Sequence, residues 1–264
     1  MSEVGIVGAG VLGTRIAQAC VAAGHAVRIT DHDRTRIQRA THGEKVTDLA
    51  AMAGCDILIE AIHENAAAKT RVLKAMTAPG GPADDDTLLL TTTSSFTVTE
   101  LGAGLDRPEH LVGLHALPTA GGIRMAEVAA GVHSAASAVA AAYEFAADLG
   151  WRVLVVADRP GRLTRRLLMP FINQVVQAYD DGLASAVDID RVAELGLGHS
   201  RGPLALLEET GVADHLAATR ATYEAVHDPA LAPPPILARL VAAAQDGAAH
   251  FHQQIDLQNG ARQP

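Results

Sequence analysis

His115 closes the apolar run HLVGLH, and Glu127 stands in the stretch that follows, GIRMAEV. A hydroxyl that must lose its proton while hydride leaves its carbon needs a base titrating near neutral pH, and histidine is one. A nearby carboxylate would fix the imidazole tautomer and stabilise the imidazolium that forms. The pair is chemically sufficient for oxidation of an alcohol. Its spacing is not specific, because the chain holds 12 histidines and one that only satisfies core hydrogen bonds would look the same.

A second constellation offers a place for a hydride acceptor. Gly8-Ala9-Gly10-Val11-Leu12-Gly13 follows the apolar run EVGIV, opens a helical stretch, and is answered by Asp31 at the end of HAVRITD. In that context Gly8 allows the tight turn, Gly10 lets a pyrophosphate approach the backbone, and Gly13 lets helix and strand pack closely. The helix start at Val11 and Leu12 then faces the phosphates. Asp31 would accept from ribose hydroxyls and repel a 2′-phosphate, favouring NAD over NADP, while Arg34 and Arg36 act in the opposite sense. A glycine turn kept for packing alone is the competing reading.

The elements that must position these groups follow from periodicity. EVGIVGAG, HAVRITD, DILIEAI, TLLLTTT, HLVGLHA and RVLVVAD read as strands, alternating with helical stretches such as VLGTRIAQACVAAGH, AAAKTRVLKAM and SAASAVAAAYEFAADLG. That alternation predicts an α/β fold with a doubly wound, mostly parallel sheet. His115 ends a strand, and the carboxyl ends of strands are where open parallel sheets bind ligands. After the hinge near Pro160 only helix-type segments appear, separated by Gly and Pro. The reading is a dinucleotide-binding domain over 1–159 and a smaller all-helical domain over 160–264, with the terminal NGARQP frayed.

Composition sets the outer limits. A chain of 264 residues, 48% hydrophobic, can bury a large core. A formal net charge of -9 gives no basic footprint for nucleic acid or an anionic membrane. No apolar run reaches the length of a membrane span, and the first strand begins too close to Met1 for a signal peptide. Cys20 and Cys55 sit in apolar contexts and read as buried thiols of a reducing compartment, the cytoplasm. No metal site is expected.

Taken in order, the motifs resemble those of the L-3-hydroxyacyl-CoA dehydrogenase family, a Rossmann-like NAD-binding domain followed by a helical dimerisation domain. The match runs from Gly8 to about Val212 through GAGVLG, IEAIHENAAAK, TTTSSFTVTEL, RPEHLVGLH with Glu127 at the family's spacing, DRPGRLTRRLLMPFINQ and LGLGHSRGPLALLEETGV. The resemblance implies that His115 is the general base, Glu127 its partner, and that Ser94 and Asn173 lie beside the substrate's reacting oxygens. It also implies that Glu64 and Lys69 line the cofactor side, that the substrate is a 3-hydroxyacyl thioester, and that the protein is a homodimer. On the residues alone, Ser94 could merely satisfy backbone groups at a strand end, and Asn173 sits in a helix beside core-type Met169, Phe171, Ile172 and Val176. A buried asparagine still needs partners, which a substrate cleft between the domains would supply.

The chain departs from the family's pattern in four places, one of them Thr92-Thr93-Ser94-Ser95 where the family has Asn-Thr-Ser-Ser. Between Asp31 and Asp56, where the family carries a long helical hairpin over the CoA, there is room for roughly one helix, so contacts to the adenosine end should be few. Ala116-Leu117-Pro118-Thr119 replaces Phe-Phe-Asn-Pro, and Gly161-Arg162-Leu163-Thr164-Arg165-Arg166 replaces Gly-Phe-x-x-Asn-Arg. These changes admit two other substrates. One is an acyl group tethered to an acyl carrier protein, as in polyketide precursor pathways; the other is a small free hydroxy acid whose carboxylate Arg162 or Arg165 could bind. The mechanism of 3-hydroxyisobutyrate-type dehydrogenases needs a lysine in the second domain, and no lysine follows Lys74. A non-catalytic nucleotide-binding protein is the reading from another class.

Overall fold

Apolar runs with both faces covered form the central strands of a single sheet. The computed structural model describes residues 1–119, 122–243 and 251–252. Strands β1 (Glu3–Val7), β2 (Ala26–Thr30), β3 (Glu44–Lys45), β4 (Ile57–Glu60), β5 (Leu88–Thr91), β6 (Leu111–Thr119), β7 (Gly122–Ala130) and β8 (Arg152–Val156) lie in the order β3-β2-β1-β4-β5-β6-β7-β8. Every pairing is parallel except β6 with β7. β7 has no counterpart in the sequence reading, because GIRMAEVAA is alanine-rich and carries two charges, so pairing rather than propensity makes it a strand.

Helices cover both faces. α1 (Val11–Ala22) and α5 (Ala136–Asp148) pack on one side against Ile6, Ile29, Ile59, Leu90 and Val128. α3 (Ala66–Thr77) and α4 (Val98–Gly102) pack on the other against Leu58, Leu89 and Leu111. Between β2 and β4 the chain makes only α2 (Arg34–Arg39), the short β3 and one 3₁₀ turn at Ala50–Met52. No helical hairpin projects there.

The chain forms two compact units, Met1–Leu163 and Thr164–Pro264. The second is helical, with α6 (Arg162–Asp180) entering it from the first, then α7 (Ala186–Arg191), α8 (Pro203–Thr210), α9 (Val212–Val226) and α10 (Pro235–Ala243). Gly211, at φ 101°, separates α8 from α9. Ile172, Val176, Leu204, Leu207, Leu237 and Phe251 make its core. The terminal NGARQP lies outside the described residues.

Cys20 and Cys55 are both free and buried on the sheet's opposite faces. Burial pushes the Cys20 thiol up to about 12 and raises that of Cys55. The folded protein should therefore resist a thiol reagent near pH 8, whereas protein unfolded in denaturant should titrate both thiols. Fast labelling of either under native conditions would contradict this burial.

Candidate active site

The nucleotide loop is built by steric necessity. A Cβ on Gly13 would lie 1.8 Å from the carbonyl oxygen of Gly8, and one on Gly8 would lie 2.4 Å from that of Ala61. A Cβ on Gly10 would meet nothing within 4 Å, so this glycine keeps an approach open rather than a contact tight. The N–H groups of Val11, Leu12 and Gly13 precede the first bond of α1, from Thr14 N–H to the Gly10 carbonyl. No side chain caps α1 and no acidic residue lies in its first turn. An anion can use those donors. Asp31, buried at the end of β2, accepts from Ala9 N–H at 2.8 Å and from Asp33 N–H at 2.9 Å, tying loop to strand.

His115 and Glu127 face each other across the antiparallel pair β6/β7 in direct register. Opposite residues of such a pair share a face with Cβ atoms close together. His115 Nδ1 and Glu127 Oε2 are 2.8 Å apart, with Glu127 fully buried and His115 only 6% exposed. β5 ends at Thr91, which pairs with Gly113. His115 therefore stands just beyond the end of the parallel strands, level with the loop Thr92–Ser95. Where the family pattern changes, Ala116 is buried and β6 continues to Thr119, while residues 120–121 fall outside the described chain.

That loop is held by a buried charge network. Lys69, whose side chain is 0% exposed, sends its Nζ to Glu60 at 2.8 and 3.1 Å and to the Ile62 carbonyl at 3.2 Å, with Glu64 Oε2 at 3.4 Å. Thr91 Oγ1 donates to Glu60 at 2.6 Å. Glu64 Oε1 accepts from Thr93 Oγ1, Ser94 N–H and Ser95 N–H at 2.7, 2.8 and 2.7 Å. Burial pushes the Glu64 carboxyl up, but Lys69 and these donors outweigh it and hold it below the usual carboxylate range. Glu60 was not singled out in the sequence. An acid inside the apolar run DILIEAI, followed by a lysine on the next helix, was the available signal.

Arg162 departs most from its expected role. It is 1% exposed, donates to Asp158 at 2.9 Å and to the Thr93 carbonyl at 3.4 Å, and adopts φ 50°. Asp158 in turn accepts from Val98 N–H and Thr99 N–H, while Gly161 N–H donates to the Ser94 carbonyl at 2.8 Å. A Cβ on Gly113 would lie 2.7 Å from Arg162 Nη2, so the strand leaves space for the guanidinium. A buried, paired arginine cannot serve as a solvent-facing ligand for a free carboxylate.

Asn173 belongs to the second unit. Its Nδ2 donates to Thr219 Oγ1 at 3.0 Å and to the Ala232 carbonyl at 3.3 Å, and its Oδ1 meets His215 Nε2 at 3.0 Å. Burial, then the charge of Arg165, pushes the His215 pKa down to about 4, so this ring is neutral and donates from Nε2.

Comparison with known proteins places this arrangement. The family model for the NAD binding domain of 3-hydroxyacyl-CoA dehydrogenase matches residues 3–46 and 38–159, and that for the C-terminal domain matches 161–253. The chain belongs to the 3-hydroxyacyl-CoA dehydrogenase family. It is similar, at 29% identity over 269 residues, to a probable 3-hydroxybutyryl-CoA dehydrogenase of Bacillus subtilis, covering 92% of this chain and 93% of the relative. The 3-hydroxybutyryl-CoA dehydrogenase of Bradyrhizobium diazoefficiens is 28% identical over 272 residues, with 92% and 91% covered. The crystal structure of (S)-3-hydroxybutyryl-CoA dehydrogenase from Ralstonia eutropha gives a TM-score of 0.83 at 28% identity, covering 92% of this chain and 94% of that one.

The first unit of this dehydrogenase family takes NAD, and the residues present fit it: an uncapped helix start, an open approach at Gly10 and a carboxylate at the end of β2. No helix among the described residues is long and apolar enough to cross a membrane.

Two outcomes test the network. Lys69→Met strands Glu60 without a counter-ion and should cost about 3–5 kcal/mol in urea unfolding. Glu64, with its folded pKa depressed, contributes stability that is present above its unfolded pKa of about 4.3 and lost as pH falls through the folded value. Glu64→Gln should therefore flatten the fall in stability below that pH, and an unchanged acid limb would remove Glu64 from it.

Proposed function

We propose that the protein interconverts a 3-hydroxyacyl thioester and the corresponding 3-ketoacyl thioester, with His115 as general base and acid. The observation that carries this reading is the buried cross-strand contact of His115 with Glu127, set at the edge of the sheet where ligands bind. With Nδ1 held by Glu127, Nε2 takes the proton of the C3 hydroxyl as the C3–O bond becomes a carbonyl. Glu127 fixes the tautomer and balances the imidazolium. NAD, when bound, accepts the hydride from C3. In the reverse direction His115 returns the proton to the alkoxide.

Ser94 supplies a hydroxyl beside the reacting oxygen in this reading, on a loop fixed through its backbone by Glu64 and Gly161. Glu64 and Lys69 act on the cofactor side as positioning residues, since the fully buried Lys69 ammonium has no free surface to offer a ligand. Asn173 enters as an ordered amide whose orientation is set by Thr219 and His215. Gly8, Gly10, Val11, Leu12 and Gly13 hold the pyrophosphate, and Asp31 the adenosine ribose. Homodimerisation is supported by the exposed side chains of Leu167, Leu183, Leu195 and Leu197 on the second unit. The names of the relatives favour a short acyl-CoA. The bare connection between β2 and β4 favours a second reading, an acyl group carried by pantetheine on a carrier protein.

His115→Gln should lower turnover about 10²–10⁴-fold while leaving NADH affinity within about twofold, read by steady-state kinetics and fluorescence titration. Near-normal turnover in that variant sinks the assignment. Asp31→Ala should narrow the preference for NADH over NADPH, and equal affinities in the unaltered enzyme would already remove Asp31 from that role.

A further inference from the structure

A pocket of about 460 Å³ wraps the beginning of the edge strand β8, and its walls include Arg124, Tyr143, Gly150, Trp151 and Arg152. No carboxylate is among its described lining residues, and neither guanidinium is paired with one among the described residues. In a chain of net charge -9 that is a local reversal of sign. Trp151 is buried and forms a fixed wall, whereas the Tyr143 ring is 43% exposed and presents a face.

Register relates the pocket to His115. Arg152 pairs with Met125, and Met125 with Leu117, two positions beyond His115 on β6. At about 3.3 Å per residue and about 4.8 Å per strand, the Arg152 Cα lies about 12 Å from that of His115. Leu154 pairs with Glu127, so Arg152, two residues earlier, points to the same face as Glu127 and His115. Arg124 is the extra residue where the β6/β7 register shifts, between Ile123 and Met125, and it lines the same pocket as Arg152. The two cations therefore meet a ligand that comes over the end of the edge strand from the side of the acid–base pair.

We propose that this pocket binds the phosphate groups and adenine of a CoA thioester, taking the place of the absent hairpin; the proposal rests on the thioester reading above. Guanidinium forks match phosphate oxygens in pairs, which suits Arg124 and Arg152 to the 3′-phosphate and diphosphate. The exposed face of Tyr143 offers a platform for the base. Two other cations near the acid–base pair, Lys69 and Arg162, are buried and already paired.

Adenosine 3′,5′-bisphosphate, titrated calorimetrically with saturating NADH present to occupy the dinucleotide site, should bind saturably to the unaltered enzyme. The Arg124→Ala/Arg152→Ala variant should bind it at least 10-fold more weakly, and Arg124→Lys/Arg152→Lys should recover part of the loss. In steady-state kinetics, the ratio of kcat/KM for a CoA thioester to that for its pantetheine thioester should be about 10 and should fall towards 1 in the double alanine variant. Absence of saturable binding, or equal affinity in the alanine variant, overturns the proposal. So does loss of binding to an acidic carrier protein in that variant when the bisphosphate does not bind at all. If no thioester is turned over, the parent reading fails, yet the titration still decides whether the pocket holds a nucleotide.

Discussion

An ammonium group sealed from water must be neutralised where it stands, and around Lys69 that requirement organises the centre of the first unit. Its side chain is fully buried, so its protons reach Glu60 at the end of β4, the Ile62 carbonyl and Glu64. Glu60 draws in Thr91 from β5, and Glu64 gathers the hydroxyl and amides of Thr93, Ser94 and Ser95. One buried cation thus fixes the ends of two strands and the loop beside His115. Asp158 with Arg162 grips the same loop from the chain leaving β8, so Thr93 and Ser94 are held from both sides.

The features legible in the sequence were those enforced by local sterics or by long periodicity. Gly8 and Gly13 could be read because any side chain there collides with backbone, and the strands from β1 to β6, β3 excepted, because apolar runs covered on both faces are unmistakable. β7 was not legible. Its alanines and charges carry little strand preference, and only pairing with β6 specifies it, although that pairing is what sets Glu127 opposite His115. The burial of Arg162 is illegible for a similar reason: nothing in GRLTRR reveals that Gly113, far away in sequence, leaves an opening for its guanidinium. Lys69 and Glu64 were found through the resemblance, whereas their link through Glu60 is a tertiary fact.

The antiparallel hairpin also explains how a mostly parallel sheet sets His115 against Glu127. Parallel neighbours β4 and β5 stop at Glu60 and Thr91, whereas β6 runs on to Thr119 and is answered by β7. The extension lifts His115 past the strands that bind the network and gives it a partner on the next strand rather than on a loop. Geometry set by strand register is stiffer than geometry set by a loop, which suits a contact that must hold one tautomer.

The bare connection between β2 and β4 bears on how this fold varies. Loop-closure entropy grows only logarithmically, so doubling the length of such a surface excursion costs about 0.6 kcal/mol. β1 pairs with both β2 and β4 whatever lies between them. An arm at this position can thus be gained or lost with almost no penalty to the sheet. The segment from Asp31 to Cys55 is the natural point at which to graft a new element onto this scaffold without disturbing the order of its strands.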